Sequence, residues 1–223
     1  GAQSPRELLV LTGFAPWHEL TVNASWEAVN VLNEVDLVRK HGIELIKQKI
    51  PVTYKFVDID IPGVWKNHNP RLMIHVGVSG QATCFDLESQ AHRKGYHKVD
   101  DFGDCPANNV CAENGAVRLH TKLNVEQISN FVNIHTQGFD RVVTHFEYTM
   151  SPTHTTIRVS KEATKRTFLC EYIYYKSLSI DNTRTLFVHV PPLDIYSAHE
   201  TARGLERIID FEVALDTREQ SWD

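Results

Sequence analysis

Three nearly continuous apolar runs constrain the fold more than any other feature of the sequence. They are Leu8 to Phe14, Arg71 to Val78 and Leu186 to Val190. A run of this kind, without regular polar alternation, is typical of a parallel strand that is buried on both faces. Helical patterns lie between these runs, so strands and helices alternate along the chain. The sequence therefore predicts an α/β sandwich around a mainly parallel sheet.

The remaining periodic segments complete this prediction. The predicted helices run from a cap at Asn23 or Ser25 to Gly42, from Tyr54 to His68 with a break or late start at Pro62, from Asn124 to Gln137, and from Ser197 to Leu215. Further strands are predicted at Ile43 to Val52 and Thr83 to Leu87, and a hairpin about Ser151-Pro152 within 140–160. Neither a repeat nor a linker interrupts the pattern, so we expect a single domain over residues 1–223.

Charge and composition exclude several classes of function. The formal net charge is −5 and no basic cluster occurs, which argues against a nucleic-acid partner. No apolar stretch is long enough to span a membrane, and no signal peptide is recognisable, so we expect no membrane association. The four cysteines do not form the dense pattern of a small disulfide scaffold. We interpret them as reduced thiols of a cytoplasmic protein, a monomer or weak homo-oligomer.

Cys170 and His189 are the first candidates for chemistry. Cys170 lies at the start of a short predicted helix, where the positive end of the helix dipole favours a thiolate. His189 is the titratable group of the run Leu186 to Val190 and lies near its carboxyl end, where open α/β sheets build their sites. An imidazole beside a thiolate can hold it ionised and later protonate a leaving amine. The two residues therefore suggest a Cys/His nucleophile pair.

Each of these residues could instead have a purely structural role. A cysteine on an apolar helix is often core filling, and a histidine in a buried strand is often a satisfied polar group, as we predict for His75. Glu88 follows a predicted strand and could orient the imidazole, although a surface glutamate has the same spacing. Cys105 and Cys111 lack a second pair of ligands at zinc-site spacing, so we expect no metal, and no other cofactor.

The chain resembles pyroglutamyl peptidase I, a family of cysteine omega-peptidases that remove an N-terminal pyroglutamyl residue. The resemblance rests on nine pieces in family order, which cover nearly the whole chain: Thr12-Gly-Phe-Ala-Pro-Trp17, Asn23-Ala-Ser-Trp26, Ile50-Pro-Val52, Val76-Gly-Val-Ser-Gly80, Leu87-Glu88, Lys94-Gly-Tyr96, Cys105-Pro106 with Cys111-Ala-Glu-Asn-Gly115, Phe168-Leu-Cys170 and Phe187-Val-His-Val-Pro191. It implies the family fold, a three-layer α/β/α sandwich with a mainly parallel, mixed sheet, and peptide substrates that begin with pyroglutamate.

The resemblance also implies roles for individual residues. Cys170 matches the nucleophile, His189 the general base and acid, and Glu88 the residue that orients the imidazole. Phe14 and Trp17 match an aromatic pair that holds the lactam ring. Asn23 matches a polar residue beside that ring.

The sequence departs from the family pattern at three places. Trp17 stands where the family usually has Phe, residues Thr164-Lys165-Arg166 replace an Ala-Gly pair before the nucleophile, and Asp140 to Thr156 is longer than the family segment. Two alternatives follow: a catalytically weakened homologue that binds pyroglutamyl peptides, or an enzyme that cleaves another cyclic or acylated N-terminus. Arg93, His97 and Lys98 are equally placed to supply a basic residue to the site.

Overall fold

The computed structural model describes residues 7–18, 21–138, 157–160 and 168–219. In chain order its elements are β1 (Leu8–Phe14), α1 (Ala24–Asn30), α2 (Glu34–His41), β2 (Glu44–Ile50), α3 (Tyr54–His68), β3 (Leu72–Val78), β4 (Phe85–Glu88), β5 (Gln90–His92), β6 (Arg118–His120), α4 (Val125–Gly138), β7 (Ile157–Ser160), α5 (Leu169–Ile180), β8 (Thr185–Val190) and α6 (Ala198–Glu219). No helix in this part of the chain is long and apolar enough to cross a membrane.

The main sheet has the strand order β2-β1-β3-β8-β4-β7. Neighbouring strands are parallel except at β4 and β8, which pair antiparallel. Strands β5 and β6 form a separate antiparallel pair. The predicted mainly parallel, mixed sheet is confirmed, and its central strands β1, β3 and β8 are the three apolar runs of the sequence.

Helices cover both faces of this sheet and make the three layers. Alternate residues of β1, β3, β4 and β8 pack with α1, α4 and α6 in one apolar cluster. The residues that point the other way pack with α3 and α5 in a second cluster, which is rich in aromatic rings. The three-layer α/β/α sandwich is therefore confirmed, and the face toward α3 and α5 carries the candidate site.

Two helix predictions were wrong in detail. The single helix predicted to end at Gly42 is two helices, because Asn33 caps a new helix by accepting a hydrogen bond from the Asp36 amide. Its end at Gly42 is correct, since that glycine takes the left-handed conformation at φ 68°. Helix α3 runs without interruption through Pro62, because buried residues before and after it pack into the aromatic cluster.

The predicted hairpin falls largely on residues outside the described part of the chain. The described residues of this segment, Ile157–Ser160, form β7, which pairs parallel to β4 at the edge of the main sheet. The hairpin otherwise stays a prediction.

Candidate active site

Helix α5 brings Cys170 against the middle of the sheet. Its first turn begins after Phe168, whose extended backbone precedes the helix, so Cys170 lies at the second helical position. The thiol packs on Gly77 of β3, where an added Cβ would lie 2.8 Å from Cys170 Sγ. A glycine inside a buried strand is a signal of such a close approach. Gly77 was not predicted as part of the site, although this signal was present in the sequence.

His189 lies beside Gly77 on the neighbouring strand. The strand register pairs Gly77 with His189, so the imidazole and the thiol share one face of the sheet. The contact of its side chain with Cys170 is one of the causes that raise the pKa of His189. The predicted proximity of these two residues is therefore present, and Cys170 also packs against the aromatic cluster on this face of the sheet.

Glu88 reaches the other nitrogen of the same imidazole. His189 Nδ1 and Glu88 Oε1 lie 2.8 Å apart, and both residues are buried. The antiparallel register places Glu88 opposite Phe187, which makes it a diagonal neighbour of His189 on the same face. Because Nδ1 is held by Glu88, Nε2 is the ring nitrogen left for the interaction with Cys170. Glu88 is thus part of the buried site, and its alternative as a surface carboxylate is wrong.

The partners of His189 decide its charge. Burial lowers the pKa of His189, but its hydrogen bonds to Cys170 and Glu88 and their negative charge outweigh this and raise the pKa from 6.5 to about 9. The site therefore favours an imidazolium at neutral pH. An imidazolium beside a thiol is the arrangement that stabilises a thiolate nucleophile.

The other cysteines differ from Cys170 in exposure and surroundings. All four are free, and Cys170 is partly exposed while Cys84 and Cys111 are buried. Burial raises the pKa of the Cys111 thiol to about 12, which keeps it protonated. Cys105 is exposed and lies near the backbone carbonyl of His97. Within the described residues no group of three His, Cys, Asp or Glu side chains could hold a metal ion.

A second carboxylate and imidazole pair lies next to the nucleophile and was not predicted. Glu171 follows Cys170, and its Oε1 accepts hydrogen bonds from the backbone amide and Nδ1 of His92 at 2.8 and 2.6 Å. This pairing ties the first turn of α5 to β5. The Glu171 carboxylate near the helix N-terminus is therefore hydrogen-bonded to His92.

The predicted substrate-binding residues lie at the carboxyl end of the neighbouring strand β1 and in the chain between β1 and α1. Phe14 ends β1 and is buried, directly after Gly13, which pairs with Val76 of β3. Trp17 is half-buried, and its ring centroid lies 5.0 Å from that of Phe168. Trp17 Nε1 is buried without a hydrogen-bond acceptor among the described residues. Phe168 was not predicted as a site residue. Its position two residues before Cys170 was the available signal.

The Asn23 side chain forms hydrogen bonds with the protein itself. Its Oδ1 accepts hydrogen bonds from the Ser25 amide and hydroxyl, and its Nδ2 donates to the Ala15 carbonyl at 3.1 Å. These bonds cap α1 and tie its start to Ala15, two residues before Trp17. The predicted contact of Asn23 with the lactam stays a prediction.

Two of the three basic residues considered for the site, Lys98 and Arg93, have different side-chain contacts in the structure. Lys98 Nζ lies over the ring of Trp17. Arg93 instead donates to the backbone carbonyls of Ala112 and Glu113. The altered loop at residues 164–166 lies outside the described part of the chain.

Comparison with known sequences identifies relatives that cover nearly the whole chain. A family model described as pyroglutamyl peptidase matches residues 7–214. Human pyroglutamyl-peptidase 1 is 38% identical over 220 residues, which cover 98% of this chain and 95% of the human protein. The mouse pyroglutamyl-peptidase 1 is 37% identical over 209 residues, covering 93% of this chain and 90% of that protein.

Solved structures share the fold at lower identity. Pyroglutamyl peptidase I from Bacillus amyloliquefaciens aligns with 94% of this chain and 98% of its own, with a TM-score of 0.74 and 22% identity. Pyrrolidone carboxyl peptidase from Thermococcus litoralis aligns over 96% of both chains, with a TM-score of 0.75 and 17% identity. These likenesses establish a common architecture.

Proposed function

Because the chain belongs to the pyroglutamyl peptidase family, we propose that it is a cysteine omega-peptidase that hydrolyses the amide bond after an N-terminal pyroglutamyl residue. The observation that carries the proposal is the chain of side-chain contacts from Glu88 through His189 to Cys170. These three residue types, in this order of contact, form a nucleophile, an acid and base, and an orienting carboxylate. Their roles in this chain are part of the proposal.

In the first half of the reaction, the Cys170 thiolate attacks the carbonyl carbon of the pyroglutamyl residue. The oxyanion that forms lies at the N-terminus of α5, where the first backbone N–H groups have no acceptor within the helix. Such preorganised donors are commonly worth about 3 kcal/mol of transition-state stabilisation. The His189 imidazolium then protonates the departing amine, and a thioester remains on Cys170.

In the second half, His189 is neutral and takes a proton from water, which attacks the thioester and releases pyroglutamate. Glu88 keeps Nδ1 occupied throughout, so the proton moves at Nε2. The lactam ring is neutral and flat, and we propose that it lies among Phe14, Trp17 and Phe168 with Asn23 at its edge. Aromatic surfaces with a few hydrogen bonds suit such a ring.

A fluorogenic pyroglutamyl amide tests the proposal. The purified protein should release the fluorophore, and iodoacetamide should stop the release by alkylating Cys170. Peptide mapping should find Cys170 alkylated before exposed Cys105, which serves as the internal comparison. Absence of turnover, or turnover that survives complete alkylation of Cys170, would refute it. The described residues provide no observation that favours the weakened homologue or a different acylated N-terminus.

We further propose a cytoplasmic location, which the four free cysteines support. A single peptidase domain agrees with the family match over residues 7–214. The expected monomer or weak homo-oligomer is tested by light scattering over a range of protein concentrations.

A further inference from the structure

The ammonium group of Lys98 caps the aromatic rings next to the nucleophile. Lys98 Nζ lies 3.9 Å from the ring centroid of Trp17 and 4.6 Å from that of Phe168. The two rings lie 5.0 Å apart at an angle of 41°, so one cation contacts both. Phe168 is two residues from Cys170 in sequence, so this cation lies over two of the rings proposed to hold the lactam, close to the segment that carries the nucleophile.

The backbone around Lys98 is fixed while its side chain is exposed. The Tyr54 hydroxyl donates a hydrogen bond to the Lys98 carbonyl at 2.8 Å. The buried Asp100 carboxylate accepts from the amides of Tyr54, Phe102 and Asp104, which anchors the following turn. Among the described residues no carboxylate forms an ion pair with Lys98. In the described part of the chain, the Lys98 ammonium group therefore contacts the rings of Trp17 and Phe168.

We propose that Lys98 is a specificity residue that selects a neutral lactam over a cationic N-terminal ring, an inference that rests on the proposed function. A lactam that enters between the rings displaces the ammonium group from their faces. The flexible four-carbon stem lets that group move to the rim of the pocket, where it donates a hydrogen bond to the lactam carbonyl. A charge-assisted hydrogen bond then replaces an exposed cation–π contact.

An N-terminal proline has the same ring size but the opposite electrostatics. Its ring nitrogen is a protonated amine, and it lacks the carbonyl that would accept a hydrogen bond from Lys98. The ammonium group of Lys98 therefore repels a prolyl terminus in the pocket where it attracts a pyroglutamyl one. Discrimination by an attractive contact and a repulsive one together is a general way to build specificity.

The first test compares kcat/KM for matched pyroglutamyl and prolyl amides. Lys98→Met keeps much of the stem over the rings and removes the charge, so the preference for pyroglutamyl should fall by about tenfold or more. Lys98→Arg keeps the charge, and Lys94→Met removes a nearby exposed charge away from the rings. Both should change the preference by less than about threefold.

The second test needs no turnover. Binding of 2-pyrrolidone, a neutral lactam, and of pyrrolidine, a cationic amine of the same ring size, is followed by the indole N–H resonance of Trp17. Lys98→Met should weaken 2-pyrrolidone binding by about tenfold and leave pyrrolidine binding unchanged or tighter. Lys94→Met should behave as the parent.

The two tests separate this inference from the proposed function. Normal pyroglutamyl turnover with an unchanged preference in Lys98→Met overturns the role of Lys98 alone. Binding of 2-pyrrolidone that depends on Lys98, in a parent protein without peptidase turnover, overturns the proposed function alone. A parent protein that does not bind 2-pyrrolidone contradicts the inference about Lys98 whatever its turnover.

Discussion

Two buried layers on the same face of the sheet hold one imidazole each, and the two imidazoles have opposite properties. The lower layer contains Thr12, His75 and Phe187, which are level in the strand register. The upper layer, two residues further along the strands, contains Gly77 and His189. Both histidines are buried. Their neighbours, and not their depth, account for the difference between them.

In the lower layer His75 contacts hydroxyl groups. Its Nδ1 lies 2.8 Å from the Thr12 hydroxyl and its Nε2 lies 2.8 Å from the Ser177 hydroxyl of α5. Burial lowers the pKa of His75 to about 3, so the imidazole is neutral. The prediction that His75 is a core histidine is confirmed, and its bonds fix α5 two turns below Cys170.

In the upper layer His189 contacts a carboxylate and a thiol, and its pKa is raised to about 9. Hydroxyl partners satisfy hydrogen bonds without offsetting the desolvation of a positive charge, whereas anionic partners do offset it. The same sheet and helix therefore contain one histidine suited to structure and one suited to proton transfer.

The largest expected effect comes from removing the nucleophile of the upper layer. Cys170→Ala should lower kcat by about four orders of magnitude or more, because the covalent route is lost. It should also lower the pKa of His189, since the contact with Cys170 is one of the causes that raise it. Steady-state kinetics and circular dichroism check the loss of activity and the intact fold. Ordinary turnover in this variant would contradict the mechanism.

Removing the carboxylate should make His189 resemble His75. Glu88→Gln should lower kcat by about two to three orders of magnitude, less than His189→Ala, because Glu88 orients the imidazole without transferring the proton. In the parent, kcat/KM should fall as the pH rises through about 9, where His189 loses the proton needed by the leaving amine. The variant should lose activity at a lower pH. An alkaline limb unmoved in Glu88→Gln would argue against this coupling.

Filling the space at Gly77 should displace the thiol of the upper layer and press on the Phe187 ring of the lower layer. In Gly77→Ala the new Cβ would lie 2.8 Å from both Cys170 Sγ and a ring carbon of Phe187, so the thiol must move. A displacement of this kind can lower kcat by about a hundredfold. Stopped-flow alkylation by iodoacetamide should slow in parallel. Wild-type kcat together with an unchanged alkylation rate would show that the close contact with Gly77 is dispensable.

The sequence predicted the strands and helices of the sandwich better than the contacts between them. Continuous apolar runs identify β1, β3 and β8, because burial on both faces leaves a local signature. The helix start at Cys170 and the position of His189 are also local features. Glu88 became a specific candidate through the family resemblance, since the antiparallel pairing of β4 with β8 joins residues that are 101 apart in sequence.

The features that the sequence did not reveal have two different causes, one local and one not. The apolar repeat from Trp26 to Val38 continues across Asn33, so periodicity alone did not reveal the cap that starts α2. The contact of Lys98 with Trp17 and Phe168 joins three separate loops or helix ends, and no spacing rule connects them.

The smallest expected effect on activity comes from the lower layer. His75→Gln should keep kcat within about threefold of the parent, because His75 contacts no proposed reacting group. Its effect should be on stability. An unfolded histidine gains a proton near pH 6.5, whereas folded His75 gains one only near pH 3, so its contribution to stability is lost as the pH falls through this range.

Urea unfolding at several pH values between 6.5 and 4 measures that loss. The parent should lose about 1.4 kcal/mol of unfolding free energy per pH unit more than His75→Gln, the equivalent of one proton. Equal pH slopes would indicate that His75 is protonated in the fold.

The charge state of the two imidazoles tests the comparison most directly. Nitrogen-15 chemical shifts of the histidine rings, assigned with His75→Gln and His189→Ala, report protonation in the resting enzyme from pH 5 to 10. His189 should remain an imidazolium at pH 7 and titrate near pH 9, while His75 should remain neutral throughout this range. A neutral His189 at pH 7, or a charged His75 at pH 5, would contradict the assignment of opposite roles to these two buried histidines.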